Sequence, residues 1–148
     1  MMDVVEKIMR YCAYQERCTS EVENKLNVLT DNILERNKIL KMLVGDGFVN
    51  DRRYAEIFTK SKIHQQHWGR LKITLALKTK RIATEIINEV LSEIDEDEQI
   101  EILERLIKSK KIEEQDVFKR RVKIVRYAMS KGYTRNQIEQ VLNKTKYL

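Results

Sequence analysis

The stretch Leu71-Lys-Ile-Thr-Leu-Ala-Leu-Lys-Thr-Lys-Arg-Ile-Ala-Thr-Glu-Ile-Ile-Asn-Glu-Val-Leu91 aligns without a gap on Val122-Lys-Ile-Val-Arg-Tyr-Ala-Met-Ser-Lys-Gly-Tyr-Thr-Arg-Asn-Gln-Ile-Glu-Gln-Val-Leu142, at a constant offset of 51 residues. Ile73 falls on Ile124, Lys80 on Lys131, Ile82 on Tyr133, Ile87 on Ile138, and Val90-Leu91 on Val141-Leu142. These shared apolar positions define a helix, a short turn and a second helix. A looser copy begins at Ser20-Glu-Val-Glu-Asn-Lys-Leu26 and ends at Ile39-Leu-Lys-Met-Leu43, with a turn longer by about two residues. Self-similarity at this period implies stacked helical units whose apolar faces are buried only by their neighbours.

One further helix in front of each pair gives three helices per unit. The expected fold is all-α: three tandem three-helix repeats, residues 1–49, 50–95 and 96–148, stacked into an elongated, curved array. Start and stop signals support the count. Asp3 caps a first helix running to about Arg17, Thr19-Ser20 with Glu23 has the form of a capping box, and Asn32 with Glu35 makes a similar start. Gly45-Asp46-Gly47 supplies a helix stop, Asn50 a cap for the fourth helix, and Gly69 the lead into the fifth. Asp95-Glu-Asp-Glu98 opens the seventh, where negative charge suits the helix dipole.

Composition agrees. Proline is absent, glycine occurs four times, and 42% of the residues are hydrophobic, which favours helices with a true core over sheet or disorder. Cys12 and Cys18 have little topological use as a bridge and read as reduced thiols. The opening residues lack the form of a signal peptide, and no window approaches the roughly 20 apolar residues of a membrane span. A cytoplasmic protein is therefore expected.

The net charge of +6 conceals strong patterning: −2 over residues 1–51, +8 over 52–81, −9 over 82–104 and +8 over 105–135. On helical projection the fourth helix turns Tyr54, Ile57, Phe58 and Ser61 inward and Arg52, Arg53 and Lys60 outward. The sixth turns Ile87, Val90, Leu91 and Ile94 inward and Glu85, Glu89 and Glu93 outward. The eighth turns Val117, Ile124, Val125 and Ala128 inward and Lys119, Lys123 and Arg126 outward. One exposed acidic ridge and two basic ones are expected, the basic pair facing a polyanion.

The segment Gly47-Phe48-Val49-Asn50-Asp51-Arg52-Arg53-Tyr54-Ala55-Glu56 resembles the hallmark stretch of the RecX family, regulatory proteins of the RecA recombinase. Arg17-Cys18-Thr19-Ser20-Glu21-Val22 with Lys25-Leu26 is similar to the family's first-repeat motif, and Gly69-Arg70-Leu71-Lys72-Ile73 with Leu77 and Lys80 to its second. Three tandem three-helix repeats are also the family's architecture. Asp51, Tyr54, Ala55 and Gly69 stand at its motif positions. The chain departs from the pattern at Arg81 and Leu29, where the family turns through glycine, and at Arg70, where proline is common. A left-handed Arg81 would carry strain of about 1 kcal/mol. The resemblance implies a protein that binds RecA and its filament on single-stranded DNA and restrains filament growth, ATP hydrolysis and strand exchange, modulating recombination and DNA repair.

Residues for that surface are Arg52, Arg53, Lys60, Arg70, Lys72, Lys78, Lys80 and Arg81 in one cluster and Lys119, Arg120, Arg121, Lys123 and Arg126 in a second. Phosphate contacts read charge, so little base specificity is expected. Packing between helices is expected for both aromatics: Tyr133 takes the place of Ile82 in the repeat and belongs to the core, and Trp68, after the polar His64-Gln-Gln-His67, is the better placed of the two for the surface. His64 and His67 with Cys12 and Cys18 lack the spacing of a zinc site, and no catalytic constellation is present. Binding without catalysis, cofactor, metal, membrane or small-molecule substrate is the expectation. Its rival is a stand-alone DNA-binding protein whose helix pairs act as helix-turn-helix readers.

Overall fold

The computed structural model describes residues 3–145, and among them the chain forms nine α-helices and no strand. They are α1 (Val4–Tyr14), α2 (Thr19–Leu29), α3 (Ile33–Gly45), α4 (Asp51–His64), α5 (Arg70–Thr79), α6 (Thr84–Ser92), α7 (Glu96–Lys110), α8 (Val117–Ser130) and α9 (Arg135–Thr145). Oxygen side chains cap six of the starts: Asp3, Asn32, Asn50, Asp95, Asp116 and Thr134 each accept from the backbone N–H three residues on. Each such cap satisfies an orphan donor and is worth about 1 kcal/mol.

Burial divides into three cores. Ile8, Val22, Leu26, Ile39, Leu43 and Val49 form the first. Tyr54, Ala55, Ile63, Ile73, Leu77, Ile82, Ile87 and Val90 form the second, which also takes in Cys18 from the first unit and Ile102 from α7. Ile100, Leu103, Leu106, Ile124, Ala128, Tyr133, Ile138 and Leu142 are among the residues of the third. The closest helix packing lies within the units: α1 and α3 on α2, α5 and α6 on α4, α8 and α9 on α7. Such a chain of cores is the all-α stacked array expected from the repeat.

Joints between units follow the same 51-residue offset. The start of a unit's second helix lies on the turn between the second and third helices of the next unit. At the first joint the Ser20 hydroxyl donates to the Lys80 carbonyl at 2.6 Å. At the second, the Gly69 N–H donates to the Lys131 carbonyl at 2.8 Å and the Leu71 N–H to the Gly132 carbonyl at 3.0 Å. Cys18 and Gly69, Ser20 and Leu71, Lys80 and Lys131, and Arg81 and Gly132 are each one repeat apart. Arg81 adopts φ 60° and Gly132 φ 97°, so arginine takes the left-handed place that the later repeat gives to glycine. Only a half-exposed pair with Glu23 binds its guanidinium, a contact of little worth. Replacing Arg81 by Gly is therefore expected to stabilise the fold by up to about 1 kcal/mol, read as a higher urea midpoint.

Several local expectations are corrected. Helix α1 stops at Tyr14, short of Arg17, because the Arg17 side chain turns back and its Nε donates to the Tyr11 carbonyl at 3.1 Å. The cap of α2 is Cys18 with Glu21, not Thr19-Ser20 with Glu23, since the Ser20 hydroxyl is committed to Lys80 while Glu21 accepts from the Cys18 N–H. The turn of the first unit is not lengthened, because the caps Asn32 and Ala83 keep the 51-residue offset. Of Gly45 and Gly47, only Gly47 has positive φ. In α4 the inward arc is rotated: Ile57 is 49% exposed, and Tyr54, Ala55, Thr59 and Ile63 are buried, the face that packs on α6. Val117 in α8 is exposed as well, about two turns ahead of Ile124, the first buried residue of the helix.

Candidate nucleic-acid and protein interface

The basic ridge predicted on α4 and α5 is not a free surface. Packing of α4 against α6 brings Arg52 to Glu56 at 2.9 Å, to Glu93 at 3.1 Å and to Glu89, and the Glu56 hydrogen bond is the largest cause holding its guanidinium above the usual range. Arg53 reaches back to Glu16 at 2.7 Å. Arg70 pairs with Glu96 at 3.2 Å, Lys80 with Glu21 at 3.2 Å and Arg81 with Glu23 at 3.0 Å. Four of these five cations span two units. The acidic and basic ridges, expected as separate faces, thus partly neutralise one another through Arg52 on Glu89 and Glu93 within the second unit, while Arg53, Lys80 and Arg81 are bound by acids of the first unit.

The motif residues serve the same joints. Asp51 accepts from the Thr19 N–H at 2.7 Å, so the first turn of α4 caps the first turn of α2. Tyr54 and Ala55 are buried in the second core. A β-carbon on Gly69 would stand 2.5 Å from the Gly132 carbonyl oxygen, so glycine alone permits the backbones to touch. Tyr133, fully buried, donates its hydroxyl to the His67 carbonyl at 2.8 Å. Trp68 is half-buried and packs between helices: its ring meets Phe58 edge-on at 6.2 Å, with Lys62 and Lys72 ammoniums 4.8 Å and 4.6 Å from its centroid. His64 pairs with Glu98 at 2.9 Å across the second joint. Among the described residues no group of three or more candidate ligands could hold a metal. Burial pushes the Cys12 and Cys18 thiols up, so both disfavour the thiolate.

The second cluster on α8 is better gathered. Arg121 and Arg126 line a groove of about 510 Å³ with Phe118, Val122, Met129 and Arg135. Arg121 is held by Glu139, Lys123 pairs with Glu114 at 2.9 Å, and Arg120 is half-buried with its Nε unpartnered. Lys60, Lys78, Lys119 and Arg126 are exposed and have no carboxylate partner among the described residues. These four, with Lys72 on Trp68, are what remains open of the thirteen predicted cations.

One cationic surface went unread in the sequence. Lys7, Arg10, Tyr11 and Tyr14 of α1 gather with Arg17 and Lys25 around a groove of about 420 Å³. The signal available was their spacing, i, i+3, i+4 and i+7 along α1, which places four side chains on one stripe.

No helix among the described residues is long and apolar enough to cross a membrane. Residues 50–91 match the family description "RecX, second three-helix domain". A protein named "Regulatory protein RecX" from Clostridium beijerinckii is 30% identical over 143 residues, covering 94% of this chain and 66% of that protein. Its namesake from Clostridium tetani is 32% identical over 114 residues, covering 74% of this chain and 52% of that protein. This chain therefore spans about half to two thirds of the length of these curated relatives. The crystal structure of RecX from Lactobacillus salivarius superposes with a TM-score of 0.87 at 23% identity, covering 97% of this chain and 95% of that one. A sequence match over 94% of this chain, together with the matching helical architecture, leads to one conclusion: the chain belongs to the RecX family.

Proposed function

We propose that this chain regulates a RecA-type recombinase, binding the recombinase and the single-stranded DNA of its filament and inhibiting ATP hydrolysis and strand exchange. It acts by binding and not by catalysis, without cofactor, in the cytoplasm, and so modulates recombination and DNA repair. The observation that carries this reading is the alignment of 94% of the chain with a protein named "Regulatory protein RecX". The open cations Lys60, Lys78, Lys119 and Arg126 are compatible with a polyanionic filament, and the groove on α8 adds exposed apolar anchors in Phe118 and Met129.

The test is recombinase ATPase on preformed filaments. Sub-stoichiometric protein is expected to lower the rate, and unchanged ATPase and strand exchange at saturating protein would sink the proposal. Charge reversal of Lys119 and Arg126 together is expected to raise the concentration for half-inhibition about tenfold with normal folding, since exposed unpaired cations at an interface steer association. Reversal of Arg52, by contrast, is expected to loosen α4 from α6 and to show first in thermal melts. Tight, sequence-selective duplex binding without recombinase would favour the helix-turn-helix reading instead.

A further inference from the structure

Three acids of the first unit face away from a cluster of its cations. Glu16, Glu21 and Glu23 are drawn toward the second unit, where they bind Arg53, Lys80 and Arg81. Their withdrawal leaves Lys7, Arg10, Arg17 and Lys25 with no carboxylate partner among the described residues. These four line one groove with Tyr11 and Tyr14, and Leu29 completes it; no carboxylate is part of its wall. The arrangement is built. Arg17, just past the end of α1, donates to the Tyr11 carbonyl at 3.1 Å, and its guanidinium carbon stands 3.8 Å from the Tyr11 ring centroid and 5.9 Å from that of Tyr14. The Lys25 ammonium lies 5.5 Å from the Tyr11 ring. Tyr14 itself is 83% exposed, which leaves a flat aromatic face beside a row of cations.

We propose that this α1–α2 groove binds single-stranded nucleic acid directly, its cations following the phosphates and Tyr14 stacking on a base. Cations without acids select a polyanion. An exposed aromatic ring among them selects a strand whose bases are free to stack, which a duplex conceals. An acidic protein segment fits less well, since Leu29 is the single aliphatic residue of the lining and offers little for an apolar anchor. The proposal rests on the single-strand part of the proposed function and gives it a site; it is tested without recombinase, so loss of oligonucleotide binding and loss of ATPase inhibition are read separately.

The experiment is fluorescence anisotropy of the whole protein with labelled oligo-dT and oligo-rU of about 15 nucleotides, a duplex of equal length, and a poly-glutamate peptide. Both single strands are expected to bind more tightly than the duplex, with affinity falling steeply between roughly 50 and 200 mM salt. Tyr14→Ala is expected to weaken binding about tenfold, the lower part of the range for one stacked base. Arg10→Ala should lower the slope of log affinity on log salt by about 0.7, the share of one phosphate on a single strand. Both positions are exposed, so the melting curves of these variants should overlay the parent's. Lys38→Ala and Lys41→Ala, exposed cations of α3 outside this groove, should leave oligonucleotide affinity within twofold. Equal affinity for dT and rU supports recognition of backbone and base faces, and a preference for rU supports the same groove with RNA as its ligand. Parental affinity in both Tyr14→Ala and Arg10→Ala would overturn the proposal, as would poly-glutamate binding as tightly as the oligonucleotides.

Discussion

Gly132→Ala is expected to lower stability by about 2–4 kcal/mol and to uncouple the third unit from the other two. Two costs combine. Gly132 sits at φ 97°, a backbone region that L side chains rarely adopt. A β-carbon there would also lie 2.6 Å from the Lys72 backbone nitrogen and 2.9 Å from the Gly69 carbonyl oxygen, and backbone atoms cannot swing aside as a flexible side chain can. Relief requires α5 to draw away from the α8–α9 turn. That movement breaks the Gly69 to Lys131 and Leu71 to Gly132 hydrogen bonds together. In a stacked array, stability is the sum of unit and joint contributions, so a weakened joint shows as loss of cooperativity as well as a lower midpoint. Urea unfolding followed by hydrogen exchange should therefore show α7 to α9 exchanging before α4 to α6. Gly45→Ala is the control, because nothing lies within 4 Å of its β-position and its φ is not positive. It should be neutral or slightly stabilising, by at most about 1 kcal/mol. A single cooperative transition for Gly132→Ala at the parental midpoint would refute this account of the joint.

The joints explain which parts of the molecule could be read from its sequence. Helices and units were legible because their signals are local or periodic: Asn32, Asn50 and Asp95 cap helices three residues away, and the 51-residue offset sets Ile82 on Tyr133, both buried. Buried faces were legible where one neighbour decides them and misplaced where two compete, as in α4, whose packing on α6 turned Ile57 outward. Electrostatics was the part least legible. Arg52 meets Glu89 and Glu93 and Arg70 meets Glu96, all in a different charge block, so blocks of +8 and −9 that look like opposed surfaces partly neutralise each other in space. The converse holds in the first unit. Its charge of −2 hid four open cations, because three of its acids, Glu16, Glu21 and Glu23, are engaged across the joint by Arg53, Lys80 and Arg81. Net charge along a chain says which charges exist, and the fold decides which are left over.

Tyr133→Ala is expected to have the largest effect of any single substitution in the second joint, a loss of about 3–5 kcal/mol, typical of emptying a buried aromatic site. Its ring is fully buried in the third core, and its hydroxyl reaches the His67 carbonyl in the preceding unit. His67 is held at φ 60°, so that hydrogen bond also fixes the left-handed residue that steers the chain from α4 into α5. Tyr133→Phe separates the two roles: it keeps the ring and removes the donor, for a cost of about 0.5–1.5 kcal/mol. The pH dependence has a definite sign. Burial raises the Tyr133 phenol well above the usual tyrosine value of about 10, because the phenolate is disfavoured in the core. The folded state thus holds this proton more tightly than the unfolded chain. Its contribution is complete below about pH 10 and is lost as pH rises from the unfolded toward the folded pKa. Tyr54, raised by burial in the second core, adds in the same direction. Urea midpoints measured from neutral pH to above pH 10 should fall for the parent and fall less for Tyr133→Phe. An alkaline slope unchanged in Tyr133→Phe would mean that the phenol titrates alike in both states, and the hydrogen bond to His67 would then not be what closes the joint.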